Sequence, residues 1–155
     1  MIEIDDKYKF LILGSEKTLH RRDLKLITEI ILHCSDSDKP EHDDIDVIRS
    51  WHKALGFSDV GYHFFIRKDG LIQLGRNINK VGAHCVTQNI VSIGICLSGR
   101  HAFTETQFQN AHSLITKLMA NYSIKKDKVF PHSYFNENKT CPNFNLLNIW
   151  KFDSI

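Results

Sequence analysis

The chain has 155 residues, 42% of them hydrophobic and 25% charged, which is typical of one soluble globular domain. A formal net charge of +2 gives no reason to expect nucleic-acid binding, and no apolar run is long enough to span a membrane. Residues 1–6 are acidic where a secretory signal would be basic, so we expect cytoplasmic synthesis. The four cysteines are then expected to be reduced thiols.

The first third of the chain predicts an extension, a strand and a helix. Residues 1–26 are assigned to an N-terminal extension packed on the domain, with a strand or extended arm at residues 8–13. The β-prone run at 27–32 predicts a core strand that delivers His33 at its exit. Asp43 is expected to cap a helix that buries Trp51, exposes His52 and stops at Gly56.

The remaining elements complete one α/β domain, assigned to residues 27–155. Residues 60–66 and 71–74 are β-prone and are separated by a turn containing Asp69-Gly70, which predicts a hairpin. Residues 91–97 predict another core strand. Thr104 and Gln107 form a capping box that opens a long amphipathic helix, and a short helix is expected within 144–150. The outcome is a central mixed β-sheet flanked by α-helices.

Two histidines and a cysteine stand out as a possible metal site. His132, Lys139 and Cys141 fall within ten residues in a polar loop, and His33 ends a predicted strand. Two imidazoles and one thiolate form a three-ligand zinc set that leaves the fourth position of a tetrahedron for water, which is the arrangement of a hydrolytic site. The residues alone leave open that these histidines are structural, since a lone histidine at a strand end usually is.

A series of short motifs resembles one known family. They occur in the family's order, as Leu32-His33-Cys34-Ser35, Trp51-His52-Lys53, Asp59-Val60-Gly61-Tyr62-His63-Phe64, Asp69-Gly70, Gly75-Arg76, Val81-Gly82-Ala83-His84, Ser92-Ile93-Gly94-Ile95-Cys96-Leu97 and Lys139-Thr140-Cys141-Pro142. The chain resembles the zinc-dependent N-acetylmuramoyl-L-alanine amidases of the bacteriophage T7 lysozyme type. These amidases are related to the peptidoglycan recognition proteins, and the resemblance implies their fold.

The resemblance also implies roles for individual residues. It makes His33, His132 and Cys141 the ligands of one Zn²⁺ ion. It puts Tyr62 beside the metal water and gives Lys139 the stabilisation of the reacting oxygen, so these two are the expected catalytic residues.

Two further residues are expected to bind substrate, and the chain departs from the family in one loop. The resemblance implies substrate contacts for His84, at the rim of the groove, and for Arg76. Ser133 and Tyr134 stand where the family usually has an arginine and an acidic residue, and Asn143 stands where it has glycine. These departures concern substrate fit and the support of the ligands, because the ligands themselves are retained.

The activity implied is hydrolysis of the amide bond between N-acetylmuramic acid and L-alanine in peptidoglycan. A monomeric phage or prophage endolysin, reaching the cell wall after release from the cytoplasm, is the setting that the resemblance favours. Three alternatives remain from the sequence: an intracellular amidase that recycles soluble muropeptides, a peptidoglycan-binding module without catalysis, and a structural zinc domain. Retention of Cys141 favours an enzyme over the binding module.

Overall fold

The computed structural model describes residues 21–154, so the arm predicted at residues 8–13 lies outside the described residues. The helices and strands, in chain order, are β1 (Glu29–Cys34), α1 (Ile45–Ala54), β2 (Phe64–Ile66), β3 (Ile72–Leu74), β4 (Ser92–Leu97), α2 (Glu105–Tyr122), β5 (Val129–Pro131) and α3 (Leu147–Trp150). The helices and strands predicted between residues 27 and 150 are all present, with ends shifted by a few residues.

The five strands form one mixed sheet in the order β3-β2-β4-β1-β5. Strand β1 is parallel to both β4 and β5, and β2 is parallel to β4, whereas β2 and β3 form the predicted antiparallel hairpin. Every residue of β1 and β4 is buried, as their continuous apolar runs predict for central parallel strands. The carboxyl ends of β1, β4 and β5 therefore lie at one edge of the sheet.

Helices cover both faces of this sheet. The larger cluster packs α2 and α3 against one face through residues such as Ile30, Ile95 and Ile115. A smaller cluster packs Ile45 and Ile48 of α1 against the opposite face. Cys96 of β4 belongs to that second face, and it is the register partner of His33 in β1. The imidazole of His33 is thereby directed to the side of the sheet that α1 covers.

The start of α2 is tied to the sheet by its capping residues. The predicted capping box is confirmed: the Thr104 hydroxyl accepts from the Gln107 backbone N–H, and the Gln107 side chain accepts from the Thr104 N–H. The Gln107 amide, fully buried, also donates to the carbonyls of Ile66 and Ser98, at 3.1 and 2.8 Å. One side chain thus provides hydrogen-bond partners for backbone groups at the start of the helix and at the ends of two strands.

Three details of the α1 region differ from the prediction. The N-cap is Asp44, while the Asp43 carboxylate accepts from the backbone N–H of Lys68 in the hairpin turn. Trp51 is 37% exposed and packs edge-on against His42 instead of filling the core. His52 is half-buried instead of solvent-exposed. The buried residues of this helix, Ile45 and Ile48, both lie in its first turn.

Residues 21–26 are anchored to the domain by one buried arginine. The Arg22 guanidinium donates to the carbonyls of Ile78, Asn89, Ile90 and Ser92 over 2.7–3.1 Å. Burial lowers the pKa of Arg22 to about 10. The proposed boundary at residue 27 stays a prediction. Between residues 21 and 154, no helix is long and apolar enough to cross a bilayer.

Candidate active site

The three predicted ligands come together at the carboxyl edge of the sheet. One donor atom from each of His33, His132 and Cys141 lies within 4.8 Å of the other two. The ring centroids of the two histidines are 4.5 Å apart. His33 is 1% exposed, whereas the other two residues are partly open to the surface. Nothing in their spacing along the chain predicts this distance, because residues 33 and 132 are 99 positions apart.

Strand register explains the pairing of the two histidines. Leu32 of β1 and Pro131 of β5 are partners in the parallel ladder, so the next residue on each strand is a histidine. The chain then leaves β5 through a 3₁₀ turn and returns, with the Ser133 N–H donating to the carbonyl of Cys141 at 3.0 Å. This contact brings the thiol back beside the two imidazoles.

The donor set fits a zinc ion. Zinc–nitrogen bonds of about 2.0–2.1 Å and zinc–sulfur bonds of about 2.3 Å imply tetrahedral donors roughly 3.3–3.8 Å apart. The observed donors lie within 4.8 Å, so small side-chain rotations suffice to reach that spacing. Burial holds the pKa of His33 well below its usual value, and nearby His132 and His52 lower it further. A neutral imidazole is the form that binds a metal.

The two residues expected to act on the substrate flank these ligands. The Tyr62 ring lies 5.0 Å from that of His33 and 5.4 Å from that of His52. Burial raises the pKa of Tyr62 well above its usual value, and the neighbouring thiols add to this, so the hydroxyl keeps its proton. Lys139 is exposed and lines the cleft above the ligands. Its ammonium has no carboxylate partner within residues 21–154.

A groove runs past the ligands along the surface. One cleft of about 350 Å³ contains the three ligands together with Tyr62, His52 and Asp36. A second, of about 410 Å³, continues beyond His132 along the loop that follows His84. Both are lined by Phe57, Ala83, His84, His132 and Lys139, so they form one surface depression. Leu55 lines the first cleft and Val86 the second; at 74% and 83% exposed, they add apolar surface.

Of the two residues predicted to bind substrate, His84 lines the groove and Arg76 does not. The Arg76 guanidinium donates to the carbonyls of Val60 and Val81 at 2.8 and 2.9 Å, and it does not line the cleft. Its substrate role stays a prediction, and in this structure the guanidinium joins two loops through these hydrogen bonds. His84 does line the groove, and its contact with substrate stays a prediction. Both of its ring nitrogens, however, have partners inside the protein.

Two residues line the cleft that the sequence pattern did not assign to it. Strand alternation predicts the Cys34 side chain on the face opposite His33; Cys34 lines the cleft, and its backbone N–H donates to Cys141 Sγ at 3.1 Å. Cys34 is the last residue of β1, and the chain then turns at Asp36, which has φ 61°. His52 also lines the cleft, where its Nδ1 accepts from the Gly61 N–H at 2.8 Å. The Trp51-His52-Lys53 motif was the available signal for it.

Comparison with known proteins bears directly on this arrangement. A family model described as N-acetylmuramoyl-L-alanine amidase matches residues 23–144. The chain belongs to this family. The endolysin of Escherichia phage T7 is 36% identical to it over 130 residues, 79% of this chain and 84% of the endolysin. The resemblance read from the short motifs is thereby confirmed.

Solved structures of this amidase family confirm the fold. The N-acetylmuramoyl-L-alanine amidase LysC from Clostridium intestinale URNW superposes with a TM-score of 0.76 at 27% identity, covering 92% of this chain and 95% of LysC. Bumblebee PGRP-SA shares the fold, with a TM-score of 0.72 at 24% identity over 92% of this chain and 88% of its own. The expected amidase and recognition-protein architecture is thus present.

One departure from the amidase family has a structural explanation. Asn143, which replaces the family's glycine after Cys141-Pro142, has φ 63°. Asparagine is among the few residues other than glycine that adopt this left-handed conformation readily. Its side-chain amide also donates to the carbonyl of Arg100 at 3.0 Å, which ties the cysteine loop to the loop after β4. Asn143 thus adopts the conformation that glycine favours and helps to hold the loop that carries Cys141.

Proposed function

We propose that this amidase uses one zinc ion to hydrolyse the bond between N-acetylmuramic acid and L-alanine in the bacterial cell wall, as a phage-type endolysin. The observation that carries the proposal is the convergence of His33, His132 and Cys141 on the floor of an open groove. The relatives named endolysin and N-acetylmuramoyl-L-alanine amidase support the reaction and its setting.

His33, His132 and Cys141 would hold the zinc ion. When bound, zinc supplies a Lewis acid that polarises the scissile carbonyl and acidifies water. The protein supports the sulfur ligand through the backbone N–H of Cys34, which donates to Cys141 Sγ at 3.1 Å. Such a donor stabilises negative charge on sulfur, and hence the thiolate that a metal requires.

Lys139 and Tyr62 act on the substrate itself. The exposed Lys139 ammonium reaches into the cleft without an ion-pair partner among residues 21–154, so it is available to the negative charge that develops on the carbonyl oxygen. Tyr62 packs against His33 and, because it remains protonated, offers a hydroxyl donor that orients the reacting groups. Both contributions are greatest in the transition state, where charge has moved onto oxygen.

The groove favours a polymeric substrate over a small soluble one. Its two sections share lining residues and are open to solvent, and the exposed apolar side chains of Leu55 and Val86 line one section each. A glycan strand with its stem peptides is an extended ligand that such a surface can accept. An enzyme for soluble muropeptides would be expected to close over its ligand instead.

Incubation with purified peptidoglycan sacculi tests the function. We expect release of stem peptides bearing a new L-alanine amino terminus, with the glycan strands intact and no new reducing ends. The zinc-depleted protein and the Cys141→Ser variant should release nothing. New reducing ends would contradict the assignment. Cleavage confined to soluble anhydro-muropeptides would favour the recycling enzyme, and binding without release by the zinc-loaded protein would favour the binding module.

A further inference from the structure

A line of hydrogen bonds leads away from His33 into the protein. The Nε2 atom of His33 lies 2.8 Å from Nδ1 of His84. The other nitrogen of His84, Nε2, lies 3.2 Å from the hydroxyl oxygen of Ser92. That hydroxyl lies 2.7 Å from the backbone carbonyl of Gln88.

The carbonyl at the end of this line determines the direction of every bond in it. The Gln88 carbonyl can only accept, so the single hydroxyl proton of Ser92 must point to it. The Ser92 oxygen is then left as an acceptor, and Nε2 of His84 must carry a proton and donate. A neutral His84 has no second ring proton, so its Nδ1 accepts from a protonated Nε2 of His33.

The direction of these hydrogen bonds determines the state of the other ring nitrogen of His33, Nδ1. With the proton of the neutral imidazole on Nε2, Nδ1 carries the free lone pair. We propose that His84, supported by Ser92, is a positioning residue that holds His33 in this tautomer and ring orientation, so that Nδ1 is the atom presented to the metal. The inference rests on the proposed zinc site and adds to it the residues that set the ligand atom.

Two glycines leave the space that the His84 ring occupies. A Cβ atom on Gly94 of β4 would lie 2.6–2.9 Å from three atoms of the His84 ring, and one on Gly82 would lie 2.6 Å from its Cδ2. Both glycines are thus needed for the imidazole to lie flat against the backbone. The loop is held from outside as well, because the Asn89 side chain accepts from the N–H groups of His84 and Cys85, both at 2.9 Å.

The geometry also separates this role from simple core packing. The rings of His33 and His84 meet nearly perpendicular, at 89°, with their centroids 4.9 Å apart. An edge-on approach directs a ring nitrogen of one histidine at a ring nitrogen of the other, whereas apolar packing has no such directional requirement. Groups that hold a metal-binding histidine in this way typically contribute 10- to 100-fold in metal affinity.

Two substitutions at residue 84 distinguish positioning from packing. The amide oxygen of His84→Asn can occupy the place of Nδ1 and accept from His33, whereas His84→Ala removes the acceptor. We expect the zinc dissociation constant, measured by competition with a chelator, to rise about 10- to 100-fold in His84→Ala. In His84→Asn it should stay within a few-fold of the wild type. The zinc affinity of Ser92→Ala should lie between those of His84→Ala and His84→Asn. In this variant the His84 ring keeps its position but loses the hydrogen bond that fixes its orientation.

Two spectroscopic readouts do not depend on activity. Long-range ¹H–¹⁵N spectra of the metal-free protein should show His33 and His84 both protonated at Nε2 and bare at Nδ1. The visible spectrum of the cobalt-substituted protein should change in His84→Ala and be restored in His84→Asn. His101→Ala, an exposed histidine, serves as the control.

The outcomes that overturn the inference differ from those that overturn the zinc site. Protonation of His33 at Nδ1, unchanged zinc affinity in His84→Ala, or equal losses in His84→Ala and His84→Asn would each exclude a positioning role. Melting temperatures of the metal-free variants show whether a loss reflects unfolding. If the wild-type protein binds no stoichiometric zinc, or if His33→Ala binds it normally, the zinc site itself fails.

Discussion

The backbone N–H of Cys34 donates a hydrogen bond to Sγ of Cys141 over 3.1 Å, although the two residues are 107 positions apart. The strand that presents His33 therefore also supports the sulfur ligand with its next residue. One strand end organises two of the three donors, so displacement of β1 would disturb both together. This coupling makes the metal centre sensitive to the end of β1 as well as to the ligands.

Loss of any one ligand should weaken zinc retention. With only three protein ligands proposed, no fourth is expected to replace one that is removed. We therefore expect His33→Ala, His132→Ala and Cys141→Ser each to bind less than one zinc per chain after dialysis. Elemental analysis gives the stoichiometry. His101→Ala, whose side chain is exposed, should keep the wild-type content. Full zinc occupancy in all three ligand variants would rule out this donor set.

The charge of Lys139 should matter for turnover and not for folding. Lys139→Met keeps the aliphatic stem and removes the ammonium, so we expect kcat to fall about 100- to 1,000-fold with little change in KM. The residue is exposed, so the melting temperature should stay near that of the wild type. Lys125→Met, a second exposed lysine, is the matched control and should retain full activity.

Removal of the Tyr62 hydroxyl should also lower kcat. Tyr62→Phe keeps the ring against His33 while the donor disappears, so zinc content should not change and kcat should fall by about 100-fold. Steady-state kinetics on sacculi or a soluble muropeptide gives the value. The corresponding control is Tyr134→Phe, since Tyr134 is 68% exposed. Near-wild-type turnover in Tyr62→Phe would remove this hydroxyl from the mechanism.

The buried amide of Gln107 should contribute strongly to stability. Gln107→Leu leaves the carbonyls of Ile66 and Ser98 without their donor and the Thr104 N–H without its acceptor. We expect the free energy of unfolding to fall by about 2–4 kcal/mol, because unsatisfied buried groups cost about 1–3 kcal/mol each and part of the site can rehydrate. Urea denaturation measures it. Gln109→Leu, two residues along the same helix and exposed, should change stability little.

Asp38 should make stability depend on pH in the acid range. Its carboxylate accepts from the Lys68 ammonium and from the N–H groups of Arg100 and His101. The bond from Lys68 is the main reason that the pKa of Asp38 lies well below its usual value, and the backbone donors add to it. A depressed carboxyl pKa stabilises the fold fully above the unfolded value of about 3.9 and progressively less below it.

Asp38→Asn tests this linkage. The variant should be less stable than the wild type at pH 7, and the difference should shrink as the pH falls below about 4. Chemical denaturation at several pH values provides the free energies of unfolding. Asp127→Asn, at an exposed aspartate, serves as the control. A stability difference that stays constant down to pH 2 would show that Asp38 acts without its charge.

Much of the secondary structure follows from local patterns in the chain. The buried strands β1 and β4 are continuous apolar runs, and the Asp69-Gly70 turn and the Thr104–Gln107 capping box are signals within a few residues. Local signals of this kind depend on hydrophobic periodicity and backbone preference, which act over short separations. The ligand residues were recognised because their motifs resemble a family, and their chemistry suits a metal.

The assembly of the site was decided by tertiary structure alone. His33 and His132 are neighbours because Leu32 and Pro131 are in register, and strand pairing between distant segments leaves no trace in local sequence. The contacts of His84 with His33 and Ser92 likewise exist only once β1 and β4 pair. The sequence by itself determined which donors and elements the chain has, whereas long-range pairing decided which of them meet.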